Sequence, residues 1–145
     1  MRYIGVDPGG SGAAVIINRE GQILDEIRFT AATPHDIADW FREWTEDEDA
    51  QAILEKVHAM PKQGVSSTFK FGQSFGFLEG CLTSLEIPFD YVTPQKWQKA
   101  MQCMTKGDKN ISKARAQRMY PNHKSIVHAN ADALLIANYC KQISK

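Results

Sequence analysis

Three acidic side chains stand at positions where burying a charge is costly. Asp7 ends an apolar stretch beside glycines, Glu55 lies within a second apolar stretch, and Asp132 lies within a third. His128 precedes Asp132 by four residues, and positions i and i+4 of a helix share one face. A carboxylate that faces a core must be paired or must bind a cation. If these segments converge, the set is typical of an oxygen-rich Mg²⁺ or Mn²⁺ site.

Each of these carboxylates also has an ordinary structural interpretation. Asp7 can cap the glycine turn that follows it, Glu55 can pair with a lysine, and Asp132 can be a solvated helix residue. Spacing along the sequence does not prove that the groups converge. The structural interpretations and the metal site therefore both stay open at this point.

The segments that must position these residues indicate a mixed α/β fold. Apolar and alternating patterns predict five strands, and the first three are joined by tight glycine turns into an antiparallel meander. The predicted strands span 2–7, 13–18, 22–29, 51–57 and 89–93. Helical spacing and Thr-Pro caps predict the intervening helices. These helices begin at Pro34 and Pro94 or span 68–86, 111–119 and 129–140.

Length and composition predict one domain that spans 1–145. The chain of 145 residues has 43% apolar residues and 10% aromatic residues, which is enough for one core and excludes disordered and fibrous classes. No apolar run approaches the roughly 20 residues of a membrane span, and no secretory signal is recognised at the N-terminus. Three widely spaced cysteines argue against a disulfide framework and a zinc cluster. We expect a cytoplasmic protein, located in the host cytoplasm if a phage encodes it.

The formal net charge of zero hides a strong asymmetry. Residues 1–55 carry 4 basic and 12 acidic side chains, a net −8, whereas residues 56–145 carry 13 basic and 5 acidic side chains, a net +8. Between 96 and 124, eight basic side chains accompany a single acid, Asp108. Such a division favours an anionic polymer as the partner, although a solvated helical face would look the same.

Three motifs together resemble the RuvC-type Holliday junction resolvases of the ribonuclease H-like superfamily. The likeness runs through nearly the whole chain in order, and the phage-type and plastid-type branch is the most similar. The motifs are Ile4-Gly5-Val6-Asp7-Pro8-Gly9, Ile53-Leu54-Glu55, and His128-Ala129-Asn130-Ala131-Asp132-Ala133-Leu134-Leu135-Ile136-Ala137, with Val92-Thr93-Pro94-Gln95-Lys96-Trp97 indicating the branch. The resemblance implies a five-stranded mixed sheet, antiparallel over three strands and then parallel, flanked by helices.

The resemblance also implies a catalytic site. Asp7, Glu55 and Asp132 match three of the family's four metal ligands, and His128 stands where the remaining ligand would be. The histidine departs from an all-carboxylate set. The activity implied is hydrolysis of phosphodiesters with two divalent ions, Mg²⁺ or Mn²⁺, about 4 Å apart. Lys109 matches the family's basic position and would stabilise phosphate charge or hold the backbone.

The partner implied is branched DNA, a four-way junction. Basic side chains would contact the phosphates of the arms, which suits recognition of a branched shape. The DNA-binding residues predicted are Lys99, Lys106, Lys109, Lys113 and Arg115, with His58 and Gln63 probing unstacked bases from the loop after Glu55. Two symmetric nicks require two sites, so we expect a homodimer. The helix that carries Gly72, Gly76 and Gly80, with phenylalanines at its rim, is the predicted interface.

Other functional classes compete with this interpretation. A related nuclease that acts on RNA or on other branched DNA would share the motifs, as would a junction-binding protein with an inactive site. A nucleotide-dependent enzyme of the actin and hexokinase type has a similar glycine turn after its first strand, but needs two such domains to enclose ATP.

Overall fold

The computed structural model describes residues 1–57 and 64–144. Within them the chain forms one five-stranded sheet with the order β3-β2-β1-β4-β5. The strands are β1 (Arg2–Asp7), β2 (Ala13–Ile17), β3 (Ile23–Arg28), β4 (Ala50–Glu55) and β5 (Phe89–Val92). β1 pairs antiparallel with β2, and β2 pairs antiparallel with β3, whereas β4 is parallel to both β1 and β5. The predicted meander and mixed sheet are therefore confirmed.

Five α-helices lie within the described residues, and several begin earlier than the sequence predicted. They are α1 (Pro34–Thr45), α2 (Val65–Ser84), α3 (Pro94–Ala100), α4 (Lys109–Met119) and α5 (His128–Ile143). The start of α4 is at Lys109 rather than Ile111 because the Asp108 side chain accepts a bond from Asn110 N at 3.0 Å and caps the helix. Lys109 is therefore the first residue of α4, and His128 is likewise the first residue of α5.

The sheet lies between two layers of helices. On one face α5 packs with α3 and α4 over the residues that point that way from the strands, and on the other face α1 and α2 do the same. Successive side chains of a strand point to opposite faces of the sheet. β1, β2 and β4 are apolar on both faces because each of them contributes side chains to both cores.

A glycine sets how closely α5 approaches the sheet. A Cβ added at Gly5 would overlap the backbone of Ala133 and Ala137. Only glycine therefore lets the α5 backbone lie directly on β1, and this contact brings α5 over the central strand.

The three cysteines, Cys81, Cys103 and Cys140, are all buried free thiols. Among residues 1–57 and 64–144, no helix is both long enough and apolar enough to cross a bilayer.

Candidate active site

Asp7 and Glu55 meet because β1 and β4 are parallel neighbours. Val6 is paired with Leu54, so the next residue of each strand emerges at the same edge of the sheet. Glu55 is 7% exposed, while Asp7 remains partly accessible. Burial raises the pKa of Asp7 well above its ordinary range, the Glu55 and Asp132 charges raise it further, and a side-chain hydrogen bond with Glu55 raises it as well.

The turn after Asp7 is fixed by glycine and by α2. Gly9 has a φ of 110°, a left-handed conformation that glycine adopts without steric cost. Its backbone N–H donates to Ser74 Oγ at 3.0 Å, and its carbonyl accepts from Gly12 N at 3.1 Å. These bonds close the turn and tie it to α2.

Asp132 joins the pair from α5. Burial raises its pKa, and its own charge contributes to the raised pKa values of Asp7 and Glu55. These mutual effects require that the three carboxyls, which come from β1, β4 and α5, share one low-dielectric region. Asp132 is therefore a partly buried carboxylate close to the other two, and not a fully solvated helix residue.

α4 supplies a cation and a hydroxyl that act on this cluster. Lys109 is exposed, yet its charge lowers the pKa of Asp7, Glu55 and Asp132, so it lies close to all three. Ser112, one turn later and 1% exposed, donates its hydroxyl to the Lys109 carbonyl at 3.2 Å and lies close enough to Asp132 to lower the pKa of that carboxyl. No sequence motif pointed to Ser112; its only signal is the i,i+3 spacing from Lys109.

Glu55 has a second buried partner in α3. The indole Nε1 of Trp97 donates to Glu55 Oε2 at 2.6 Å, and Trp97 is 0% exposed. Burial raises the pKa of Glu55, and the bonds from Trp97 and Asp7 oppose that rise. The predicted alternative of a lysine paired with Glu55 is not the main contact, because the direct hydrogen bond comes from an indole.

His128 occupies the rim of the site. It is the first residue of α5, its side chain is exposed, and its charge when protonated lowers the pKa of Asp132. The start of α5 is held by Asn130, which accepts from Val127 N at 2.9 Å, donates to Ser125 O at 2.8 Å and bonds Glu26. Asn130 therefore fixes the first turn of α5, where His128 lies, and no motif in the sequence pointed to that role.

The residues fit a divalent cation by their chemistry. Three carboxyls of raised pKa face one lysine, which leaves an excess of negative charge, and the donors are oxygens of the kind that Mg²⁺ and Mn²⁺ prefer. As the side chains stand, no set of three His, Cys, Asp or Glu groups within 1–57 and 64–144 is arranged to hold a metal ion. Protonation of one carboxyl and binding of a divalent cation are alternative ways to offset the repulsion among these carboxylates.

The predicted DNA-binding residues differ in how freely they reach solvent. Lys99, on α3, and Lys106, in the turn before α4, are exposed, whereas Lys113 and Arg115 are partly buried. The Arg115 Nε donates to Met101 O at 3.0 Å, so this guanidinium also holds the end of α3. His58 and Gln63, the residues predicted to probe bases, lie outside the described residues.

Comparisons with known proteins bear on the fold. No model of a known protein family and no curated protein sequence matches the chain. Among solved structures, "T. thermophilus RuvC in complex with Holliday junction substrate" is similar with a TM-score of 0.67 and 13% identity, covering 94% of this chain and 90% of that chain. "Thermus thermophilus RuvC structure" gives a TM-score of 0.64 and 14% identity, covering 94% and 91%.

The similarity extends over nearly all of both chains. It confirms the resemblance to RuvC-type resolvases at the level of the fold. This chain therefore has the fold of the RuvC Holliday junction resolvases, with carboxylates from β1, β4 and α5 gathered at one edge of its sheet.

Proposed function

We propose that the protein is a metal-dependent endonuclease that resolves four-way DNA junctions by paired symmetric nicks. The observation that carries the proposal is the meeting of Asp7, Glu55 and Asp132, from three separate elements, beside Lys109. Buried carboxylates with this mutual repulsion destabilise a fold unless a cation offsets it, so the arrangement indicates a function.

The side chains divide the work of such a site. Asp7 and Glu55 would hold one side of the metal centre, and Asp132 with His128 the other. Two divalent cations bound there would supply a nucleophilic water and stabilise the leaving oxygen of a phosphodiester. Lys109, exposed at the start of α4, can approach a phosphate oxygen and offset its charge.

Recognition of the junction rests on the basic region around α3 and α4. Lys99 and Lys106 are exposed beside Lys109, and phosphate contacts of this kind follow backbone shape rather than base sequence. One of the structural neighbours holds a Holliday junction substrate, which supports branched DNA as the partner of this chain.

We propose a homodimer formed through α2, in which each copy contributes one nick. Gly72, Gly76 and Gly80 are exposed, and a Cβ added at any of them would meet nothing within 4 Å in the described chain. The glycines are therefore not needed for packing within the protomer. Phe69, 66% exposed, and Val65, 89% exposed, extend the same helix as an apolar surface.

The decisive experiment is cleavage of an end-labelled four-way junction by wild type and Asp7→Asn, with Mg²⁺ or Mn²⁺ and with EDTA. We expect paired nicks only from the wild type with metal, whereas Asp7→Asn should bind the junction with nearly unchanged affinity. Asp47→Asn is the matched control, because Asp47 is an exposed carboxylate in the turn between α1 and β4.

The substrate panel separates the competing functions. Preferential cleavage of RNA, or of three-way and flap substrates, would show that this other nucleic acid, and not the four-way junction, is the substrate. Junction binding with no cleavage under either metal would identify a non-catalytic binding protein. Normal cleavage by Asp7→Asn would contradict the proposed site altogether.

A further inference from the structure

The buried indole of Trp97 donates a hydrogen bond to the carboxylate of Glu55, a contact that apolar packing of the core does not require. The indole belongs to the same buried cluster as Ile53 of β4 and Leu135 of α5, so its ring is fixed on several sides. From that position Nε1 reaches Glu55 Oε2 at 2.6 Å, a short and fully buried hydrogen bond. A ring with no N–H would fill the same space but leave that oxygen without its donor.

The indole is a donor suited to a carboxylate that binds a cation. It is neutral, so it orients Glu55 without offsetting the negative charge that attracts the metal. A lysine or arginine in its place would compete with the metal for the same charge. Because the indole engages Oε2, the other oxygen of Glu55 is the one free of this bond.

We propose that Trp97 is a positioning residue that fixes the Glu55 carboxylate in the orientation needed to bind the divalent cation. The inference rests on the proposed metal site, because it assigns Trp97 a role in that site's affinity. Partners of this kind, which act on a ligand rather than on the metal, change metal affinity or activity by about 10- to 100-fold when they are removed.

The chain contains a matched control for this bond. Trp40, which is 7% exposed, also donates its Nε1 to a carboxylate, Asp25 Oδ2, at 3.0 Å, and the Trp44 Nε1 donates to the same oxygen at 2.9 Å. This pair lies between α1 and β3 on the other face of the sheet. Trp40→Phe removes the same kind of bond from a buried indole without touching the carboxylate cluster.

The first measurement uses the wild-type protein labelled with ¹⁵N. The chain has 3 tryptophans, so three indole N–H signals are expected, and Trp40→Phe and Trp44→Phe assign two of them. Titration with Mg²⁺ should shift the Trp97 signal and leave the Trp40 signal in place. This readout does not depend on cleavage or on whether Trp97→Phe folds.

The second measurement is binding of Mn²⁺ by wild type, Trp97→Phe and Trp40→Phe, followed by the Mn²⁺ electron paramagnetic resonance signal. We expect Trp97→Phe to bind about 10- to 100-fold more weakly, and Trp40→Phe to bind as the wild type does. Thermal unfolding in EDTA checks that both variants fold cooperatively.

The outcomes separate this inference from the proposed function. Wild-type Mn²⁺ affinity in a folded Trp97→Phe, or a Trp97 signal that ignores bound Mg²⁺, would overturn the positioning role and leave the nuclease intact. Weakened Mn²⁺ binding in a protein that cuts no junction would support the positioning role and refute the substrate. A wild type that binds neither metal would overturn both.

Discussion

Gly5 in β1 lies directly beneath the backbone of Ala133 in α5, with no space for a Cβ between them. Ala133 follows Asp132 in the sequence, and Gly5 precedes Asp7 by two residues. The contact between the two backbones therefore determines how closely the carboxylate of α5 approaches that of β1. The absence of a side chain at Gly5 thus determines both the packing of α5 on β1 and the separation of the two carboxylates.

Gly5→Ala should destabilise the protein strongly, because the new methyl group would overlap the α5 backbone, which cannot rotate away as a side chain can. We expect a loss of about 3 kcal/mol in the free energy of unfolding, at the upper end for an overpacked site. Urea denaturation measures it. Gly10→Ala is the control, because a Cβ there meets nothing within 4 Å. Equal stabilities of the two variants would contradict the close approach of α5.

Asp7→Asn should stabilise the protein at neutral pH when no divalent cation is bound. The pKa of Asp7 is raised in the fold above its ordinary 3.8, mainly by burial and then by Glu55 and Asp132. Below that ordinary value the group is protonated whether folded or unfolded. As the pH rises from there to the raised pKa, the unfolded chain loses the proton first, so the folded state loses stability relative to it.

The stability difference between Asp7→Asn and wild type should therefore be smallest near pH 4 and grow toward neutral pH. Urea midpoints in EDTA across this range measure it, and Mn²⁺ should reduce the difference by stabilising only the wild type. A difference that does not change with pH would show that burial does not perturb Asp7.

Much of the fold could be predicted because local signals agreed with the tertiary structure. Apolar alternation located all five strands, and the Thr-Pro caps located the starts of α1 and α3 within the described chain. The predicted start of α4 was wrong by two residues, because the sequence analysis did not identify Asp108 as the cap. Helix ends depend on single hydrogen bonds, which apolar spacing does not report.

The site was predictable only in part. The carboxylates Asp7, Glu55 and Asp132 were conspicuous because charged groups interrupt apolar segments, and the fold brings them together. Trp97 and Ser112 were not assigned, because a buried indole and a serine on a helix have ordinary packing roles. Which polar atom such a residue meets depends on the layer of helices above the sheet.

Changes at His128 should alter the choice of metal. An imidazole nitrogen favours Mn²⁺ over the harder Mg²⁺, so the wild type should cut faster with Mn²⁺. His128→Asp should raise the rate with Mg²⁺ relative to Mn²⁺, and His128→Ala should lose about tenfold with either metal. Single-turnover cleavage at saturating enzyme measures both rates. Equal rates for all three proteins would remove His128 from the site.

Loss of Lys109 and Lys113 should weaken junction binding and reduce its salt dependence. Each phosphate contact contributes about 0.9 to the slope of log K against log salt on duplex DNA, so the double alanine variant should lower the slope by about 1.8. Fluorescence anisotropy at several salt concentrations measures it. Arg19→Ala is the control, because Arg19 lies near Glu48, at the opposite end of β1 from Asp7. An unchanged slope would locate the DNA-binding surface elsewhere.

Gly76→Ala should stabilise each protomer and weaken the proposed dimer. Alanine favours a helix over glycine by about 1 kcal/mol, and the methyl group meets nothing within its own chain. In a close interface between two α2 helices, the methyl group would force the helices apart. We therefore expect the dissociation constant of the dimer to rise about tenfold. Sedimentation equilibrium and thermal unfolding measure the two effects. Ser67→Ala, at an exposed position on the opposite side of α2, should raise helix stability alone. An unchanged dissociation constant would exclude the glycine stripe from the interface.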